Sequence, residues 1–347
     1  VATGGILAMV STPSYDPNLF VTGISQKNYD GLLYSNDRPL FDRTIRGQYP
    51  PGSTIKPMFG LIALQHNIVT PNDKINDNGY YYFEGIERPW RDHNFARGGH
   101  GDGVNLSKAI IESCNIYFYG LGVKTGIELL SNYGSQFGLG SATGIDMPGE
   151  RPGIMPNRAW KKGAHGQSWF DGDTINASIG QGFMLTTPLQ LAVMSARIAS
   201  RGDARTPRLV KSINGVEQTP LQTEDNIEVS AKHWDYMHQA MQDVVHSSRG
   251  TARSISKGLD YKIAGKTGTA QAISIDAEEK YDSSKIDKRQ WDHALFVAFA
   301  PVEKPKIAIG LIVENGEHGG SSAAPIARAV FDAYMQSQQS ATSVVRR

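Results

Sequence analysis

The chain has a single cysteine, Cys114, in 347 residues. An internal disulfide is therefore excluded, and cysteine usage alone leaves the redox compartment undecided. An excess of either charge is also missing, since Lys+Arg 35 against Asp+Glu 34 leaves a formal net charge of +1. Such balance offers no global field for nucleic acid or an anionic surface, and no nucleic-acid partner is expected. No apolar run is long enough to cross a bilayer, no signal-peptide pattern opens the chain and no internal repeat is present. The first residues, Val1-Ala2-Thr3-Gly4-Gly5, read as a strand entered in mid-protein, which suggests an excised domain. The length suits one large domain or two ordinary ones, with a substantial buried core.

Turn chemistry and periodicity divide the chain as follows. Gly5 to Ser11 reads as a buried strand, broken by Pro13, Asp16, Pro17 and Asn18. After Pro50-Pro51-Gly52, the apolar residues Ile55, Met58, Phe59, Ile62 and Ala63 predict a helix from about Ser53 to His66. Pro57 fits its first turn, where backbone N–H groups lack intrahelical partners. Residues 70 to 103 are rich in turns and aromatics, with Tyr80-Tyr81-Tyr82-Phe83 the one strand candidate. Asn105 is a good N-cap for a helix beginning at Leu106, and apolar residues continue to Leu121. A short helix is expected over Gly126 to Phe137, and irregular connection over residues 145 to 175. Thr187 before Pro188 marks the start of a helix reaching Ser200. Another helix carries Trp234, Met237, Met241, Val244 and Val245 on one face. Tyr261 to Ala270, His293 to Ala300 and Lys306 to Glu314 predict three successive antiparallel strands, with a solvated loop over 276 to 290. A helix from Ala324 to Met335 and a flexible tail over 337 to 347 complete an α+β domain with one antiparallel sheet flanked by helices.

Three short motifs carry chemistry. Ser53-Thr54-Ile55-Lys56 places a hydroxyl and an amine three residues apart, on one helix face, so the Lys56 amine can reach the Ser53 hydroxyl. A serine is a weak nucleophile until a neighbour takes its proton, and a desolvated lysine among other cations suits that task. The helix start adds N–H groups and partial positive charge where an oxyanion would form. Ser113-Cys114-Asn115 is the second motif. Residues two apart do not share a helix face, so Ser113 and Asn115 meet in one site only if the helix breaks between them. The third is Lys266-Thr267-Gly268-Thr269 on a strand. Lys266 would anchor a carboxylate beside a threonine hydroxyl, and the bare surface at Gly268 would let a substrate backbone approach. A P-loop is excluded, because the position that needs its first glycine is Asp260.

The lone cysteine suggests a fourth feature. Cys114 lies between Ser113 and Asn115, and Asp77, Asp92, His93 and His100 lie in the irregular stretch upstream. That stretch needs some fastening other than regular structure. One thiolate, one imidazole and two carboxylates form an acceptable tetrahedral zinc set, so Asp77, Asp92, His100 and Cys114 are candidate ligands of a structural Zn2+. His93 is the alternative to His100. The plainer reading is a buried apolar cysteine with surface aspartates.

Ser-x-x-Lys, Ser-x-Asn and Lys-Thr-Gly, widely spaced and in that order, form the three-part pattern of the penicillin-recognising serine enzymes. Beyond these, Thr3-Gly4-Gly5-Ile6-Leu7-Ala8-Met9-Val10-Ser11, Tyr15-Asp16-Pro17-Asn18, Ile179-Gly180-Gln181-Gly182, Thr187-Pro188-Leu189-Gln190 and Gly250-Thr251-Ala252 extend the match over nearly the whole chain. Residues 1 to 336 thus resemble the transpeptidase domain of the class B penicillin-binding proteins, and most of all their elongation-type members in Gram-negative rods. The resemblance implies that fold, with the active site between a sheet edge and a helical region. It also implies a peptidoglycan D,D-transpeptidase that needs no cofactor for acyl transfer. Ser53 would attack the D-Ala-D-Ala bond of a stem peptide, with Lys56 as proton acceptor and Ser113 as proton relay. Asn115 would position Lys56 and the substrate amide, Lys266 and Thr267 would hold the terminal carboxylate, and the N–H groups of Ser53 and Thr269 would form the oxyanion hole. β-Lactams would trap Ser53. A membrane anchor and pedestal outside this sequence, a periplasmic location and elongation-complex partners including a glycosyltransferase are implied as well. A serine β-lactamase or D,D-carboxypeptidase shares the motifs, and a penicillin-sensing domain without turnover is the alternative from another class. No class A water-activating carboxylate motif is recognisable.

Overall fold

The computed structural model describes residues 1–223, 227–272 and 283–345. Residues 276 to 282 of the expected 276 to 290 loop lie outside the described residues, and the remainder holds two short 3₁₀ turns, Ser283–Lys285 and Lys288–Gln290. In chain order the helices are α1 (Gln26–Leu33), α2 (Arg43–Arg46), α3 (Lys56–Gln65), α4 (Leu106–Ile111), α5 (Asn115–Thr125), α6 (Ile127–Gln136), α7 (Arg158–His165), α8 (Asp171–Ala177), α9 (Pro188–Ala199), α10 (Ala231–His246) and α11 (Ala324–Val345). The strands are β1 (Ile75–Asp77), β2 (Tyr80–Phe83), β3 (Ile86–Arg91), β4 (Gly101–Val104), β5 (Ser212–Ile213), β6 (Val216–Glu217), β7 (Ala264–Ala270), β8 (His293–Ala300) and β9 (Ile307–Val313).

The last three strands form the expected antiparallel sheet, in the order β7-β8-β9, with Thr267 opposite Phe296 and Phe296 opposite Leu311. β8 lies in the middle and is buried almost throughout, so its run Ala294 to Ala300 is apolar on both faces. Helix α9 packs on β9, α10 on β7 and α11 on β8. Their apolar faces share one core with α3 and α5, including Phe59, Phe118, Met237, Phe296, Phe299 and Phe331. The start of α9 is fixed as its sequence predicts. Thr187 Oγ1 accepts from the Gln190 N–H at 3.2 Å, Gln190 Oε1 accepts from the Thr187 N–H at 2.9 Å, and Pro188 opens the helix. A 3₁₀ turn, Gly52–Ile55, leads directly into α3, with Pro57 in its first turn as expected.

Five expectations are corrected. Gly5 to Ser11 is not a strand: only Gly5 bridges to Arg208, and Leu7 and Val10 are 65% and 73% exposed. An apolar run becomes a strand only where a neighbour takes up its backbone bonds. Residues 70 to 103 contain four short strands, with β1 paired to β4 and β2 to β3. Their three to six residues are too few to carry a readable alternation. Residues 145 to 175 hold α7 and the start of α8, capped by Asn157 accepting from the Trp160 N–H and by Asp173 accepting from the Phe170 N–H. Helix α11 runs past Met335 to Val345, through most of the expected tail. Ser337 and Ser340 donate to the carbonyls of Tyr334 and Gln336, so these polar residues bond back onto the helix. The helical stretch from Leu106 to Leu121 is two helices, a break with direct bearing on the site.

Candidate active site

The nucleophile turn sits backbone against backbone with the sheet. Gly52 has φ +53°, and a Cβ there would lie 2.5 Å from the Thr269 carbonyl oxygen. Only glycine satisfies both the left-handed backbone and that approach. Ser53 follows at the edge of the groove between this turn and β7, and Lys56 points inward one turn later. Lys56 is fully buried, with its Nζ 5.3 Å from the centre of the Phe118 ring. It donates to Asn115 Oδ1 at 2.6 Å and to the carbonyls of Ser113 at 2.8 Å and Cys114 at 3.3 Å. Burial pushes its pKa down to about 8, against the opposing pull of Asp92 and Cys114. Among the described residues no hydrogen bond joins Lys56 Nζ to Ser53 Oγ, contrary to the simplest reading of the Ser-x-x-Lys spacing. All three ammonium protons are directed to the second motif instead.

That second motif is assembled by the helix break. α4 ends before Glu112, Ser113 takes φ +62°, and Cys114 caps α5 by accepting from the Tyr117 N–H at 3.4 Å. Reversing the chain at Ser113 lets its hydroxyl and the Asn115 amide serve one groove, which a continuous helix forbids. Lys266 Nζ, from β7, donates to Ser113 Oγ at 2.8 Å and to the Thr267 carbonyl at 3.0 Å. It too is fully buried, and its pKa falls well below the ordinary lysine value through burial and then through repulsion from Lys56. Two buried lysines and one hydroxyl therefore face each other across the groove. The Thr267 hydroxyl shares a 2.7 Å hydrogen bond with that of Thr251.

The groove runs along the outer edge of β7, which pairs with β8 on its other side. Gln181 joins this strand, its Nε2 donating to the Thr269 carbonyl at 3.3 Å. Gly268 differs from expectation. A Cβ there would meet Thr54 Cγ2 at 2.7 Å and the Pro51 carbonyl oxygen at 3.1 Å. Its bareness thus seats the nucleophile turn on the strand and does not open a surface to substrate. Strand periodicity predicts the face a residue occupies, not the neighbour it meets there.

Asp77, Asp92, His100 and Cys114 converge as the sequence suggests, all four buried, with their ligand atoms within 4.8 Å of one another. His100 Nδ1 lies 2.7 Å from Asp77 Oδ2 and 3.6 Å from Asp92 Oδ1, and the Cys114 thiol donates to Asp77 Oδ2 at 3.2 Å. The His93 side chain is 52% exposed, and it meets the cluster at Asp92 Oδ1, 3.1 Å away, and against the His100 ring, with centroids 5.2 Å apart. His100 is therefore the better ligand. Two carboxylates and a thiol with one imidazole are an anionic set whose donor types suit a tetrahedral zinc ion. Burial, followed by Asp92, raises the thiol's pKa strongly, the response of a buried sulfur beside carboxylates. The residues fit a zinc ion. Outer contacts hold them in place: Gly79 N–H donates to Asp77 Oδ1 at 2.7 Å, Asn94 N–H to Asp92 Oδ1 at 2.8 Å and Asn115 N–H to Asp92 Oδ2 at 2.6 Å. The last contact joins this cluster to the catalytic groove. Thr251, Gln181 and the Asp92 link to Asn115 were not found from sequence as parts of the site. In the sequence Gln181 and Thr251 stand only as members of the matching segments Ile179-Gly180-Gln181-Gly182 and Gly250-Thr251-Ala252.

The profile of the family described as the penicillin binding protein transpeptidase domain matches residues 1–332. Peptidoglycan D,D-transpeptidase MrdA of Acinetobacter baumannii is 45% identical over 337 residues, covering 96% of this chain and 49% of its own length. The chain thus spans about half the length of the curated relatives it matches. Among solved structures, Pseudomonas aeruginosa PBP2 in complex with WCK 5153 superposes with a TM-score of 0.87 at 45% identity, covering 96% of this chain and 69% of that one. The complex between PBP2 and MreC from Helicobacter pylori gives 0.81 at 34% identity, over 94% and 57% of the two chains. With its three motifs gathered on one groove, the chain belongs to the penicillin-binding protein transpeptidase family.

Proposed function

We propose that this chain is the transpeptidase domain of a peptidoglycan D,D-transpeptidase of the elongation type, acting through a Ser53 acyl-enzyme. The observation that carries the reading is the double bridge Lys56–Asn115 at 2.6 Å and Lys266–Ser113 at 2.8 Å, which sets two buried lysines with lowered pKa around one hydroxyl relay. Ser53 Oγ attacks the carbonyl of the penultimate D-Ala, and its proton passes to the Lys56 amine in the neutral form that burial favours. Ser113 Oγ passes a proton on to the departing amine. Lys266 and the Thr267 hydroxyl hold the terminal carboxylate, and the backbone N–H groups of Ser53 and Thr269 receive the oxyanion.

A structural zinc ion on Asp77, Asp92, His100 and Cys114 belongs to this proposal, supported by the buried anionic cluster. When bound, the ion supplies a cross-link that ties residues 70 to 103 to the start of α5. The names of the relatives further support a periplasmic domain of a membrane-anchored protein, with elongation-complex partners of the MreC kind.

Intact mass after exposure to a penicillin tests the core of the proposal. A stable adduct is expected, absent from Ser53→Ala. Rapid turnover of the drug would point to a β-lactamase instead, and absence of any adduct would overturn both. Cross-linked product from a lipid-linked stem substrate separates transpeptidase from carboxypeptidase and from a sensor. Stoichiometric zinc in the purified chain, lost in Cys114→Ser, is the expected result for the metal.

A further inference from the structure

Beside the catalytic groove lies a cleft of about 630 Å³, whose lining also includes His100 of the candidate zinc cluster. Arg97, Arg249 and Arg253 line it together with His93, Glu112 and Thr251. Three guanidinium groups face one carboxylate, and Arg249 already engages both oxygens of Glu112, at 2.8 and 3.1 Å. Among the described residues Arg97 and Arg253 carry no ion pair. A wall of exposed, permanently charged forks of this kind suits a ligand with several carboxylates. The volume accommodates a short peptide.

The position of the cleft says which peptide. Glu112 immediately precedes Ser113, and Thr251 is hydrogen-bonded to Thr267 at 2.7 Å. The cleft therefore adjoins the carboxylate-anchoring end of the groove, where the leaving amino acid sits in the proposed reaction. By microscopic reversibility an incoming amine must occupy the place that the departing amine has vacated. We infer that this arginine-lined cleft is the acceptor subsite, which binds an anionic stem peptide and presents its amine to the Ser53 ester. This inference rests on the transpeptidase reading. In the transfer, the neutral amine nitrogen bonds to the ester carbonyl carbon, the bond from that carbon to Ser53 Oγ breaks, and the amine's proton ends on Ser53 Oγ. Holding the acceptor in the cleft raises its local concentration at the ester above that of water's chance attack.

The test uses the acyl-enzyme formed from an N-acyl-D-alanyl thioester donor. Two acceptors compete with water for it: a diaminopimelate-containing tetrapeptide amine with free carboxylates, and its twin with those carboxylates amidated. The ratio of aminolysis to hydrolysis counts only acyl-enzymes already formed, so a variant that acylates slowly or folds in part still reports faithfully. The unmodified chain should favour the carboxylate acceptor over its twin about tenfold, as about 1.4 kcal/mol of charge pairing implies. Arg253→Glu and Arg97→Glu should each bring that preference close to unity. A preference unchanged in both variants, or absent from the unmodified chain, overturns the acceptor assignment while leaving the Ser53 reading intact. Failure of both thioester and penicillin to acylate Ser53 overturns the Ser53 reading, and the subsite with it.

Discussion

The two sides of the catalytic groove are held in shape by different means. On the sheet side, β7, β8 and β9 exchange a continuous ladder of backbone hydrogen bonds under α9, α10 and α11. On the other side, residues 70 to 103 have four short strands in two pairs, and their buried centre is polar: Asp77, Asp92, His100 and Cys114. The first region is stabilised by many small, distributed terms, the second by a few concentrated ones. Distributed packing degrades gradually under mutation, whereas a polar cluster loses its shape when one member is removed. Both regions contribute to the same groove, since Asp92 holds the Asn115 N–H and Lys56 reads the carbonyls of Ser113 and Cys114.

The sharpest way to break this contrast is to remove the proposed zinc ion. Chelation, or Cys114→Ser, should lower the rate of Ser53 acylation by a penicillin more than tenfold. Hydrogen exchange should show lost protection over residues 70 to 103 and unchanged protection in β7 to β9. Uniform loss across both regions would show that they are one cooperative unit. Gly52→Ala strikes the sheet side at its contact with the nucleophile. A positive φ and a Cβ 2.5 Å from the Thr269 carbonyl predict a loss of about 2–4 kcal/mol in denaturant titration, and acylation slowed along with it.

The last two effects are smaller. Thr187→Ala removes half of a buried capping box and should cost about 1–2 kcal/mol, leaving the acylation rate of the folded fraction unaltered. Asp292 gives the finest test, at the β8 end of the sheet side. Burial raises its pKa to about 6, opposed by the Ala272 N–H and His318. Because the folded value lies above an unfolded value of about 3.9, the folded state holds the extra proton in between. Stability should therefore fall as pH rises from about 4 to about 6, and Asp292→Asn should flatten that slope in pH-dependent thermal melts. An unchanged slope would remove Asp292 from the account.

What the sequence makes legible follows the same division. The sheet, the capped α9 and the nucleophile helix are written in local periodicity and turn chemistry, and they stand where expected. Ser53, Lys56, Ser113, Asn115, Lys266 and Thr267 are recognisable from residue type and order. The four cluster residues are recognisable because a turn-rich stretch without readable regular structure, bearing Asp and His upstream of a lone cysteine, needs another fastening. Other features depend on partners distant in the chain. Gly5 to Ser11 has strand-like composition but no strand beside it, Gly268 meets Thr54 and not a substrate, and Thr251 meets Thr267 across α10's far end. The meeting of Ser113 with Asn115 turned on a single dihedral angle that no periodicity reports.

That dihedral sets form against function at one position. Ser113 sits in a backbone region where glycine is at ease and a serine is strained, yet it is the serine hydroxyl that meets Lys266. Glycine there would relax the chain and silence the relay, and threonine would keep a hydroxyl while tightening the strain. Among variants at this residue glycine should rank first in stability and last in turnover, so the enzyme's most robust version and its most active one cannot be the same molecule.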